Sequence, residues 1–435
     1  MIPRPAITAP PAWSFPIPEV TSLDSGLRLW AYDLPGQCIL SCYLVLELPL
    51  NAEPVDREGV ATVAVRSLDE GTLVHPGPDY VAALDDVGAQ FSGQAGLSTT
   101  QCFLNLPYDS LEPGLALLAE AVIEPAFAPP DVARVKANRL AEIDQHESRG
   151  SFLASTALRR IVLDTGLRAS RPSGGTQQGV AAIQTEDVVA FHTRCYQPES
   201  GILIIAGDLS EVSPVDAATK AFGAWDPTGS PVPPEPARPG TVSRQLIHRP
   251  GAVQADIRFG WYGIDRRDPR WASLQVGLTI MGGSFGSRLN TMLREQRGFT
   301  YGVAMTAHPF RSGGVIDISA ATRGATASDL IGETLAILQA SQPFSAAEVR
   351  DSVGYLTMSA PLCFDTAEAV ASQATSLAAA RLDLDHVSKS LAELNKVTPD
   401  SAMEAYRSLI QPDQASIVVV ADTSEITGDL LAHGF

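Results

Sequence analysis

The sequence predicts two similar halves of α/β or α+β type, each a sheet with helices on one face, and three observations carry that reading. The first is size, since 435 residues exceed one ordinary core and suit two domains of roughly 200 residues each. The second is DPTGSPVPPEPARPG, which places six prolines between Pro227 and Pro239. A run that dense excludes helix and central strand and reads as an extended linker. It divides the chain into residues 1–225, a linker over 226–245, and residues 246–435. The third is that strand and helix signals follow the same order on both sides of the linker, the mark of an internal duplication.

The elements follow from local pattern. In the first half, LRLWAYDL and ILSCYLVLEL read as strands, GVATVAVRSLDEG as a small-residue helix between Gly59 and Gly71, and STTQCFLNLP as a strand. SLEPGLALLAEAVI and PPDVARVKANRLAEIDQHE read as helices. In the second half, QLIHRP and ADIRFGWYGI are strands, WASLQVGLTIM a helix, TYGVAMTAHP and GVIDISAATR strands, and ASDLIGETLAILQAS and SAAEVRDSVGYLTMSA helices. Each half closes on an apolar, buried-looking strand, GILIIAGDLS or ASIVVVADTS. Two such halves joined by a long linker are expected to face each other across a cleft, where ligands commonly bind.

Composition narrows the function. Apolar residues make up 45% of the chain and charged ones 18%, enough for packed cores and too apolar for bulk disorder. A net charge of −18 argues against sequence-independent nucleic-acid binding, which needs a surplus of Lys and Arg. It suits basic partners or peptides. Cysteines at 38, 42, 102, 195 and 363 are odd in number and scattered, so neither a disulfide framework nor a C-x-x-C metal knuckle is expected. The proline-broken N-terminus MIPRPAITAPPAWSFPIPEV lacks the apolar core of a signal peptide, and no apolar run is long enough for a membrane span. The expectation is a cytoplasmic protein without membrane attachment.

One segment, GGSFGSRLNTMLREQRGFTYG at residues 282–302, carries two incompatible chemistries. Gly282 to Gly286 satisfy G-x-S-x-G, the elbow that presents a nucleophilic serine, here Ser284, in α/β-hydrolases. No HGGG-like oxyanion segment accompanies it. Against this, Arg294 and Tyr301 stand seven apart with Gly298 between them, which reads as a helix ending at the glycine and a strand carrying the tyrosine away. Taken alone, Arg294 is a solvated cation near a helix C-terminus and Tyr301 an ordinary strand aromatic.

The stretches FHTRCYQPESGILIIAGDLS and SRLNTMLREQRGFTYGV, in that order and spacing, resemble the pitrilysin or insulinase type of zinc peptidase in its small form, exemplified by mitochondrial processing peptidase. The resemblance covers nearly the whole chain. It implies an α+β fold of two homologous α/β-roll domains forming half of a clamshell, and it makes Arg294 and Tyr301 the pair that grips peptide near the scissile bond. The family's catalytic helix carries H-x-x-E-H, with two histidines binding zinc and the glutamate acting as general base. By this resemblance the histidine positions fall on Thr62 and Arg66, the base on Val65, and a third ligand on Glu142. One carboxylate of the set is left, and Arg66 puts a fixed positive charge where a dication would sit. The seven histidines include no pair at ligand spacing, so no metal is expected in this chain. Ser92-Gly93 stands where active relatives carry Asn-Ala, read as a relaxed demand on a substrate-binding edge strand.

The combination implies a chain inactive alone, with no cofactor of its own. It is expected to be the noncatalytic subunit of a heterodimeric zinc metallopeptidase, whose homologous H-x-x-E-H partner holds the zinc while Arg294 and Tyr301 act on the peptide substrate in trans. The rival from another class is a proteolytically inactive scaffold or peptide-binding protein of the same fold. The third reading is a serine hydrolase using Ser284.

Overall fold

The computed structural model describes residues 13–435 except 228, 230, 341 and 427–429. The first residues of the proline-broken N-terminus lie outside the described ones. Among the described residues eleven strands form two sheets. The first holds β1 (Glu19–Ser22), β2 (Arg28–Asp33), β3 (Ile39–Leu46), β4 (Gln90–Ala95), β5 (Thr100–Pro107) and β6 (Gly201–Gly207), in the order β1-β2-β6-β3-β5-β4. The second holds β7 (Arg244–His248), β8 (Gln254–Gly263), β9 (Val303–Phe310), β10 (Gly313–Arg323) and β11 (Ser416–Ala421), in the order β7-β11-β8-β10-β9. Without β1 the two orders are the same. In each sheet the strand that closes its half lies parallel to the first strand of the common order and antiparallel to the next, β6 between β2 and β3, β11 between β7 and β8. The duplication read from element order is thus repeated in topology, and the fold is α+β.

Every residue of β6 and β11 is buried, as their unbroken apolar runs require. One face of the first sheet packs under helices of its own half, with Leu115, Leu118 and Val122 of Leu111–Ile123 in the same core as Leu44 and Leu104. The second sheet does likewise, with Leu274, Leu330 and Tyr406 in the core of Ile257, Ile318 and Ile417.

The other face of each sheet is covered by a helix from the opposite half. Ala154, Leu158 and Val162 of Gly150–Val162 pack on Val315, Val418 and Val420 of the second sheet. Val370, Ala371, Ala374 and Leu377 of Ala367–Ala380 pack on Trp30, Val45, Ile202 and Ile204 of the first. The expectation of halves that simply face each other across a cleft is amended accordingly. Gly260 on β8 makes one crossing close, because a Cβ there would stand 2.8 Å from both terminal methyls of Leu158. Glu47 on the first half adds an ion pair with Arg381 of the second, its Oε1 accepting from Arg381 Nε at 2.8 Å.

Candidate functional site

The short helix Val60–Val65 starts at Gly59, whose φ of 106° only glycine adopts without strain. Its first backbone donors are met by a buried carboxylate, since Glu53 accepts from the N–H of Gly59 and of Ala61, each at 3.0 Å. Arg168 holds Glu53 in turn at 2.8 Å. The helix is shorter than GVATVAVRSLDEG promised: it stops at Val65, so Arg66 stands at its C-cap, and a separate 3-10 turn over Leu68–Glu70 leads to Gly71.

Thr62 and Val65 are buried, whereas Arg66 reaches the helix Pro129–Glu147. There Arg66 Nη1 donates to both carboxylate oxygens of Glu142, each at 2.8 Å, and Arg139 Nη1 donates to Oε2 at 2.9 Å. Desolvation raises the pKa of Glu142, but the bonds from Arg66 and Arg139 and their charges outweigh it and hold it below the usual carboxylate range. Arg139 is itself buried and donates from Nε to the carbonyl of Gly174 at 3.0 Å.

These side chains do not fit a zinc ion. The single carboxylate is engaged by two guanidiniums, Thr62 is buried, and Val65 offers no proton-accepting atom. Among the described residues no group of three or more His, Cys, Asp or Glu is placed to hold a metal. Val65 also explains Gly93. A Cβ at Gly93 would stand 2.6 Å from Val65 Cγ2 and 2.7 Å from its carbonyl oxygen, so glycine is required on β4. The Ser92-Gly93 departure is therefore a tight packing demand rather than a relaxed one.

The second group of residues lies on the other sheet. Asn290–Gln296 forms a π-helical turn, and Gly298 at φ 62° ends it. Tyr301 is not on a strand as expected. It lies in the turn before β9, where Thr300 Oγ1 bonds across to Gly302, and its side chain is 95% exposed. Buried Asn290 pins that turn to the helix: its side-chain N–H donates to the carbonyl of Val303 at 2.8 Å and its oxygen accepts from Val303 N–H at 2.9 Å. Arg294 stacks over Phe285, 3.4 Å from the ring centroid, and pairs with Glu295 at 2.6 Å. Sequence reasoning missed Asn290 and Phe285 because a helical asparagine and a loop aromatic carry no chemistry until their contacts are known.

Ser284 does not sit in an elbow. A π-helical turn over Thr279–Gly283 precedes it instead of a strand, its φ of −129° and ψ of 160° are relaxed, and its carbonyl accepts from Asn290. His308 and His433 bond to Asp317 and Ser328, so neither is aimed at Ser284. Arg294 and Tyr301 are not among the residues lining the cavity beside Arg66, so the structure keeps the two groups of predicted site residues apart.

Residues 182–353 match the family model described as "Peptidase M16 inactive domain". An uncharacterized zinc protease of Mycobacterium leprae is 27% identical over 349 residues, covering 77% of this chain and 76% of that protein. Another uncharacterized zinc protease, from Bacillus subtilis, is 22% identical over 66% of this chain and 70% of its own. Among solved structures, a peptidase M16 inactive domain from Pseudomonas fluorescens superposes with a TM-score of 0.86 at 23% identity, covering 94% of this chain and 100% of that one. A chain of the Candida albicans complex III2 gives 0.78 at 14% identity, covering 94% and 96%.

Proposed function

Because this chain belongs to the insulinase/pitrilysin-type (M16) peptidase family as a noncatalytic member, we propose that it is the silent half of a two-chain metallopeptidase. In this reading the chain supplies Arg294 and Tyr301 to peptide hydrolysed by a homologous partner. The observation that carries it is the exposure of Tyr301, 95% open on a turn fixed by Asn290, beside an arginine that stacks on Phe285, donates to its carbonyl at 3.2 Å and pairs with exposed Glu295. A group with no role in its own chain, rigidly presented, suits action on something outside it.

As a peptide carbonyl is attacked, negative charge grows on its oxygen, and donors preplaced there speed the step more than they tighten binding. The phenol of Tyr301 donates to that oxygen. The guanidinium of Arg294 exchanges its Glu295 pair, an exposed contact of little worth, for a charge-assisted bond to the same oxygen or a neighbouring carbonyl. The chain's own metal-motif positions, Thr62, Val65, Arg66 and Glu142, take no part in the chemistry.

The test is reconstitution with a motif-bearing relative. Tyr301→Phe and Arg294→Ala are each expected to lower turnover on the order of 10² to 10³ while the 1:1 complex still forms by light scattering. Ser284→Ala is expected to leave turnover unchanged. Full activity in the first two would end the trans-acting reading. The second reading is a scaffold, favoured by the engagement of Glu142 by Arg66 and Arg139 in place of a metal; in it the complex assembles and neither substitution changes any rate.

A further inference from the structure

Beside Arg66 opens a cavity of about 500 Å³, walled by the edge strand β4 and its following loop at Gln94–Leu97, by one side of Gly150–Val162 from Phe152 to Arg159, and by the loop Arg171–Gly174. Four guanidiniums line it, those of Arg66, Arg139, Arg159 and Arg171. Two carboxylates answer them among the described residues. Glu142 is shared by Arg66 and Arg139, and Glu58 is held by Arg171 at 2.7 Å. Arg159 has none. Its Nε donates to the carbonyl of Ala169 at 2.6 Å and its guanidinium lies 5.9 Å from the centre of the Phe310 ring, so the charge is positioned without being neutralised.

We propose that this cavity is an anion site that takes a carboxylate carried by an extended peptide, bound between Arg66 and Arg159. Charge count gives the sign, since four cations face two anions in a chain whose net charge is −18. Elsewhere an acidic surface repels acidic ligands, and low-dielectric walls concentrate the field of a basic pocket. Burial, and secondarily the charge of Arg168, pulls down the pKa of Arg159, as expected of a cation short of counter-charge. Geometry gives the peptide. Among the described strands β4 bonds only to β5, so one row of its backbone donors and acceptors is open to an added strand, and Gln94 and Ala95 at its end lead into the cavity. Arginine offers the carboxylate paired donors in one plane.

This inference rests on the reading of the chain as peptide-binding but uses neither Arg294 nor Tyr301. The purified chain is titrated with three labelled extended peptides: one bearing a central Glu and an amidated end, its Gln analogue with an amidated end, and the Gln analogue with a free C-terminal carboxylate. One of the carboxylate peptides is expected to bind on the order of tenfold more tightly than the amidated Gln peptide, and which one it is identifies the source of the carboxylate. Arg159→Met should abolish that gap. Glu142→Gln should widen it by releasing Arg66 and Arg139, and decides alone if Arg159→Met does not fold. Equal binding of all three peptides, or a gap that Glu142→Gln leaves unchanged, overturns the proposal. These gaps are read as peptide binding by the chain alone, whereas the trans-acting reading is tested by turnover of the reconstituted pair, so failure of one is distinguishable from failure of the other.

Discussion

Arg66 holds Glu142 with two bonds of 2.8 Å, and the pair shows how one side chain changes what its surroundings can do. A guanidinium satisfies the carboxylate without a metal and leaves donors turned toward the cavity, so the residue that removes zinc chemistry supplies anion chemistry. His192 offers a test at the same scale. Its Nε2 lies 2.8 Å from the carbonyl of Val122, and burial, only partly offset by that bond, lowers its pKa from 6.5 to about 4. As pH falls, the unfolded chain therefore takes up the proton first. The neutral imidazole's contribution is complete above about pH 6.5 and is lost between there and about 4, on the order of 3 kcal/mol. Urea titrations at pH 7 and 4.5 should show that loss in wild type and a smaller one in His192→Gln. Equal losses would remove His192 as the cause.

At the scale of elements, the crossing of Gly150–Val162 over β8 is the informative contact. Leu158 is buried there, and Leu158→Ala should cost about 2 to 5 kcal/mol by chemical denaturation. Gly260→Ala should cost about 1 to 3 kcal/mol, because its new methyl meets the Leu158 side chain at 2.8 Å. The two effects should not add. Leu158→Ala makes room for the Gly260→Ala methyl, so the double variant should be more stable than the sum of the singles predicts. Strict additivity would mean that the two residues do not touch. Most strands were legible because their apolar runs have the right length, and β6 and β11 were legible as buried because nothing polar interrupts them, while their place in the sheet came from the topology. Tyr301 was misplaced by two residues, since a glycine at φ 62° and a Thr300 turn delay β9 in a way no periodicity records.

For the whole molecule, the exchanged helices decide how it unfolds. Residues 1–225 alone would leave Trp30, Ile202 and Ile204 without Val370, Ala374 and Leu377. The second sheet without Leu158 would likewise expose Val418 and Val420. Calorimetry should accordingly find one transition whose calorimetric and van't Hoff enthalpies agree, despite the proline-rich linker. Two resolved transitions would show that the halves are energetically separate.

The sequence by itself determined the duplicated order of strands and helices and the α+β class, because each is carried by residue type and local period, while the resemblance alone pointed to Thr62, Arg66, Glu142, Arg294 and Tyr301. Only the tertiary structure decided that Arg66 grips Glu142, that Gly93 must stay small against Val65, and that Arg159 enters the same cavity without a carboxylate partner among the described residues. It also decided which sheet each alanine-rich or leucine-bearing helix covers. Those outcomes join residues far apart in the chain. An amphipathic helix states that it must bury a face, while which of two apolar sheets receives it depends on how the whole chain packs, as Gly260 beneath Leu158 shows.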